Sequence, residues 1–165
     1  MKGESQMALK FEEAFIYPKL DAKSYEDAVR KMSQNLLKEG YVTSEYPDQV
    51  LAREKNFPTG LVLANMNIGI PHTEAEYVKK TAVAVATLRE PVKVHSMIDP
   101  EQELPVSMMF MIAVSDPKGQ VTILRELMRL FQDQDLMEKI MSEDTASGIY
   151  KLLKSNTVKE QSSKS

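Results

Sequence analysis

No cysteine occurs in the 165 residues. That absence excludes a disulfide scaffold, cysteine zinc fingers and iron–sulfur clusters, and any mechanism in which this chain supplies a thiol nucleophile. Histidine is nearly as scarce, with only His72 and His95, so neutral-pH nucleophilic or acid–base work has few candidates. A concentrated basic face is also missing. The net charge is −3, and because the last 15 residues hold four lysines against one glutamate, residues 1–150 carry 17 basic against 23 acidic side chains, or −6. Nucleic-acid binding as the main task is therefore disfavoured, since it needs a concentrated basic surface. The longest strongly apolar stretch, residues 104–114, is too short to span a bilayer as a helix, and the first six residues lack the apolar core of a signal peptide. The chain reads as soluble and cytoplasmic. Metal-hydrolase, serine-hydrolase and nucleotide signatures of the forms H-E-x-x-H, G-x-S-x-G and G-x-x-x-x-G-K-[ST] do not occur.

What is present is the balance of one globular domain, with 42% hydrophobic and 27% charged residues. A chain of this length buries on the order of 70% of its unfolded surface, so a core forms without covalent staples. The boundaries expected from composition are a single domain over 11–154, with mobile polar ends at 1–10 and 155–165. Ser24 suits an N-cap, and Tyr25, Ala28, Val29, Met32, Leu36 and Leu37 follow at helical spacing, with Gly40 just past the end. A second, shorter helix is expected over 47–56, opened by Pro47, with Val50 and Leu51 inward and Arg53 near its end.

Beyond residue 60 the texture changes to short apolar runs. Strands are expected at 60–63, 68–70, 81–88 and 106–114, with 91–95 as a short edge strand. The run at 106–114 is apolar at every other position on both faces, as in a central strand covered by helices on each side. Residues 116–119 read as a turn. Helices then follow over 121–131, 136–141 and 147–153. The order predicts an α/β or α+β fold with a mixed sheet of about five strands sandwiched between helices. Met108, Met109 and Met111 fall in the central strand and read as core.

Of the two histidines, His72 stands out. It follows Pro71 at the end of an apolar strand and precedes Thr73, Glu74, Glu76 and Tyr77, so a stiff backbone delivers an imidazole to a polar loop. A plain strand-closing polar residue is the alternative. His72-Thr73-Glu74 also has the H-x-E spacing of zinc deaminases, but the P-C-x-x-C ligands those need are missing. Glu74 and Glu76 read as solvated loop charges with no chemistry. His95 alternates with Val92 and Val94, which puts it on the polar side of its strand.

The segment Ala52-Arg53-Glu54-Lys55-Asn56-Phe57-Pro58-Thr59-Gly60, followed by Ile68-Gly69-Ile70-Pro71-His72, resembles the IIA phosphocarrier components of the bacterial sugar phosphotransferase system, fructose/mannitol superfamily. Phe57-Pro58-Thr59-Gly60 and Val92-Lys93-Val94-His95 resemble its galactitol-type branch. The resemblance covers residues 20–153 and implies a IIA mannitol/fructose-like fold. It implies that His72 accepts a phosphoryl group from the histidine-containing phosphocarrier protein HPr and passes it to a cysteine of a IIB component, with no metal or nucleotide cofactor. Arg53 matches the phosphate-supporting arginine, whose planar fork can hold two phosphoryl oxygens. Thr59 is a candidate hydroxyl donor to the phosphate, or else a turn-stabilising residue. Where mannitol-type relatives carry a second histidine, this chain has Gln120, which is expected to hydrogen-bond the phosphate or orient His72, next to a helix N-terminus with N–H groups free for an anion. Galactitol or a related polyol is the implied substrate of the whole system. A regulatory module of the same fold is the alternative, and a metal-dependent hydrolase built on His72 and Glu74 a third. Nothing in the pattern forces assembly, so a monomer is expected.

Overall fold

The structure, a computed structural model, describes the backbone of residues 9–164 and the side chains of residues 9–156. Of the ends expected to be mobile, residues 1–8 and 165 lie outside the described residues, whereas the backbone of 155–164 is helical. Leu9, inside the described range, is buried.

Five strands and five helices alternate in blocks. They are β1 (Ile16–Leu20), α1 (Tyr25–Lys38), α2 (Tyr46–Asn56), β2 (Gly60–Val62), β3 (Asn67–Gly69), β4 (Ala82–His95), β5 (Glu103–Ala113), α3 (Pro117–Phe131), α4 (Gln134–Ser142) and α5 (Ala146–Lys164). The sheet order is β1-β4-β5-β3-β2. The β1–β4 and β3–β5 pairs are parallel, whereas β4–β5 and β2–β3 are antiparallel, which is the mixed α+β sheet expected.

Successive side chains of β5 leave opposite faces of the sheet, and each face has its own helices. Met109, Met111 and Ala113 pack with Ala28, Val29, Met32, Leu36, Tyr46 and Val50 of α1 and α2. Met108, Phe110 and Ile112 pack with Ile123, Leu127, Phe131, Met137, Ile140 and Ile149 of the three C-terminal helices. The methionines are core on both sides. Helix α1 starts where Ser24 Oγ accepts the Asp27 N–H at 3.1 Å. It ends at Gly40, whose φ of 78° permits the paired closing bonds Tyr41 N–H to Leu36 C=O and Gly40 N–H to Leu37 C=O, at 2.8 and 3.1 Å.

Three expectations are corrected. Strand β1 was not expected. Pro18 interrupts its pattern, a residue that only an edge strand tolerates; the register against β4 shifts between Tyr17 and Leu20, and Lys19 turns to a positive φ of 48° and donates its N–H to Thr87 Oγ1 at 2.7 Å. The stretches 81–88 and 91–95 are one strand, β4, so 91–95 is no separate edge strand; a register shift between Thr87 and Val92 absorbs the exposed Arg89, Glu90 and Pro91. Residues 116–119 are the capped start of α3, because Asp116 Oδ1 accepts the Lys118 N–H at 3.2 Å and Pro117 occupies the first turn.

The far end of the β4–β5 hairpin curls back onto the outer edge of β2, where Met97 N–H donates to Gly60 C=O at 2.8 Å. A Cβ at position 60 would lie 2.6 Å from the His95 carbonyl oxygen, so only glycine allows that approach. Among the described residues no helix is long and apolar enough to cross a membrane.

Candidate functional site

Strands β3 and β5 run parallel, and the chain leaving β3 keeps that alignment for three more residues. Ile112 N–H donates to Pro71 C=O at 2.9 Å, and His72 lies opposite Ile112. His72 thus sits at the carboxyl ends of two parallel strands. Helix α2 ends on one side of it and α3 starts on the other. The fully buried Tyr46 secures this wall from α2 by donating its hydroxyl to Ile112 C=O at 2.6 Å.

The imidazole is half-buried, and its Nδ1 lies 2.8 Å from Ile70 C=O. A carbonyl only accepts, so Nδ1 carries the proton and Nε2 keeps its lone pair free. Burial, the largest influence, holds the His72 pKa below its ordinary value; the Arg53 charge adds to this, while the Ile70 bond and the Glu74 charge oppose it. The shift favours the neutral ring, and an NMR titration of His72 should show a midpoint below that of an unperturbed histidine. Substituting Arg53→Ala, which removes a repelling cation, should raise that midpoint. Glu74→Gln, which removes an attracting anion, should lower it. Movement in the opposite senses would show that these two charges do not face the ring.

Arg53 leaves the last turn of α2 with its guanidinium over the Phe57 ring, 5.1 Å from the centroid, while Phe57 itself is 62% exposed. Its Nε is 3.9 Å from Glu74 Oε2, and its side chain is 28% exposed. The Glu74 carboxyl is held below its usual range chiefly by the Thr73 hydroxyl, which donates to Oε1 at 2.9 Å, with smaller contributions from Arg53 and His72. An acidic side chain read as mere loop charge therefore stands beside the site arginine. Gln120 reaches the same loop from α3, where its Nε2 donates to Thr73 C=O at 3.1 Å.

Two expectations change here. The start of α3 does not offer a set of free N–H groups. Pro117 has none, Asp116 holds that of Lys118, and that of Gln120 is spent on Asp116 C=O at 3.2 Å. Thr59 is only 4% exposed, and its single hydroxyl proton points at Glu54, with Oγ1 2.9 and 3.1 Å from the two carboxylate oxygens. A direct bond to phosphate would require breaking that contact, so Thr59 supports the site from beneath.

The residue that the sequence pattern did not single out is Glu54. It collects the Tyr25 hydroxyl at 2.7 Å and the Thr59 N–H at 2.7 Å, besides the Thr59 hydroxyl. Its presence in the R-E-x-x-x-P-T segment was a signal, but the closure depends on the chain turning back after α2. His95 lies at the opposite end of β5. Its Nδ1 is 2.7 Å from Pro100 C=O and its Nε2 3.7 Å from Glu103, so it takes no part in this cluster. Among the described residues no three His, Asp or Glu side chains form a group that could hold a metal ion.

Residues 10–156 match the family described as phosphoenolpyruvate-dependent sugar phosphotransferase system, EIIA 2. The chain belongs to this family. An EIIA 2 chain of this kind is similar to the galactitol-specific EIIA component of Escherichia coli K12, with 32% identity over 117 residues, covering 70% of this chain and 77% of that one. It is 29% identical over 117 residues to the transcriptional regulator ManR of Bacillus subtilis, a match to 70% of this chain and 16% of that longer protein. Among solved structures, the complex of enzyme IIAMtl and phosphorylated enzyme IIBMtl from Escherichia coli superposes with a TM-score of 0.71 at 25% identity, covering 89% of this chain and 99% of the matched one. The EIIA 2 family is a phosphotransferase family, and its members are components of sugar transport. The fold is that of mannitol-type IIA domains.

Proposed function

We propose that this EIIA 2 chain is a phosphocarrier in which His72 takes a phosphoryl group from phospho-HPr and gives it to a cysteine thiolate of a IIB component, in a system for galactitol or a related polyol. The observation that carries this reading is the imidazole itself. Its neutral form is favoured, its proton is fixed on Nδ1 by Ile70 C=O, and its free Nε2 lies within the field of Arg53.

In the first step Nε2 attacks phosphorus in line. The Nε2–P bond forms as the bond to the donor's imidazole breaks, and that imidazole leaves with the electron pair. Nδ1 keeps its proton on Ile70. In the second step the IIB thiolate attacks, a P–S bond forms and Nε2 recovers its lone pair. Both transition states are loose, so the protein's task is positioning and charge stabilisation. Arg53 turns from its long contact with Glu74 to the incoming phosphoryl oxygens, and Gln120 holds the peptide after His72 in place. Arg53→Ala should slow acceptance at least about tenfold, the loss of a charge-assisted bond worth ~1.5–3 kcal/mol. Gln120→Ala, which loses a neutral bond of about 0.5–1.5 kcal/mol, should slow it less. Rapid-quench transfer from phospho-HPr, with circular dichroism as the folding control, separates the two; equal losses would mean that Arg53 is not the main charge partner.

The reading as a whole is tested by incubation with phosphoenolpyruvate and the general phosphotransferase proteins, followed by mixing with a galactitol-type IIB domain. Acid-labile, base-stable phosphate should appear on the chain and leave it within seconds to minutes. The similarity to part of ManR favours a second reading, a module whose phosphorylation state is read by a partner protein. Labelling that persists against every IIB domain offered would support that role instead.

A further inference from the structure

Three donors converge on one side chain in the layer beneath His72. Glu54 receives the Tyr25 hydroxyl from α1, and the Thr59 N–H and hydroxyl from the segment entering β2. Only an acceptor-only group satisfies all three, because an amide in its place would present two donors of its own. Keeping a carboxylate there is costly, since burial pushes its pKa up against the pull of these bonds and of the Arg53 charge. A group serving packing alone would be better replaced by an apolar one.

The connections run on towards the imidazole. Ile70 N–H faces both oxygens of Thr59, the carbonyl at 3.3 Å and Oγ1 at 3.3 Å. Ile70 C=O is the group that holds the proton on His72 Nδ1, and Pro71 stiffens the link between them. On the other side, Glu54 stands next to Arg53 in the last turn of α2, which closes with the Phe57 N–H donating to Arg53 C=O.

We infer that Glu54 is a positioning residue for the phosphoryl-accepting histidine: through Thr59 it holds the Ile70 carbonyl that keeps His72 in the Nδ1–H form with the Nε2 lone pair available. It does not touch the phosphoryl group. This rests on the carrier reading for its kinetic consequence, but the tautomer is observable without any phosphate.

Two variants and their rescue test it. In Glu54→Gln, nitrogen-15 correlation spectra of the His72 ring should show a mixture of tautomers in place of the Nδ1–H form, and acceptance from phospho-HPr should slow about tenfold or more. Thr59→Val should move both readouts in the same direction, and Thr59→Ser, which restores the hydroxyl, should return them to within about threefold of wild type. A merely structural role would lower thermal stability in both variants and leave the tautomer of the folded molecules unchanged, which overturns the inference. So does a wild-type rate and tautomer in Glu54→Gln. Should Glu54→Gln fail to fold, the Thr59→Val and Thr59→Ser pair decides. If wild type is never labelled, the carrier reading fails while the tautomer spectra still decide the role of Glu54.

Discussion

His72→Ala is expected to take up no acid-labile phosphate under conditions that label the wild-type chain fully, a loss of at least a hundredfold, with circular dichroism unchanged. The argument is one of elimination joined to geometry. The chain has no cysteine and one other imidazole, and that imidazole, on His95, lies beside Pro100 and Glu103 at the far end of the β4–β5 hairpin, away from Arg53. His72 alone combines a carbonyl-fixed Nδ1 proton with a neighbouring guanidinium. Its half-buried ring lies at a strand end, so truncation removes the nucleophile and leaves the core intact. His95→Ala should label at the wild-type rate. Quantitative labelling of His72→Ala, or loss of labelling in His95→Ala, would move the phosphoryl site elsewhere and overturn the assignment.

Phe110→Ala is expected to destabilise the fold by about 3–5 kcal/mol, the usual cost of emptying a fully buried phenylalanine site. Phe110 is the β5 residue whose ring is completely enclosed on the side of the C-terminal helices. It meets Phe131 edge-on, with centroids 5.0 Å apart, a contact that adds to its area burial. A domain of this class has a total stability of roughly 5–15 kcal/mol, so the variant should unfold at clearly lower urea with an unchanged slope. A cost below about 1 kcal/mol would mean that this layer collapses around the void. The folded fraction should still accept phosphate, because Phe110 lies inside the sandwich and the reacting face is formed by loops at its end.

The layers of this sandwich were legible from local pattern. The near-continuous apolar run at 106–114 lies within one nine-residue window, and it correctly demanded helices on both faces. Ser24 and Gly40 bracket α1 because capping and left-handed φ are properties of a few adjacent residues. Strand β1 was hidden for the opposite reason. Pro18 and Lys19 break its local pattern, and only pairing with residues almost 70 positions away makes it a strand. Arg89-Glu90-Pro91 likewise divide β4 in sequence, while a register shift against β5 joins it in space.

The same division applies to the site. By itself the sequence determined the absence of a thiol, the short choice of imidazoles, and a rigid proline placing His72 at a strand end, since each is a matter of composition or of neighbouring residues. Only the tertiary structure decided which nitrogen of His72 is free, that Arg53, Glu74 and Gln120 meet around one loop, that Thr59 serves Glu54 from below, and that His95 stands apart. Those facts depend on how α2, β3, β5 and α3 converge at one end of the sheet. Hydrogen bonds between groups 5 to 47 residues apart have no period and no local signature, and they exist only once long-range strand pairing has closed the chain.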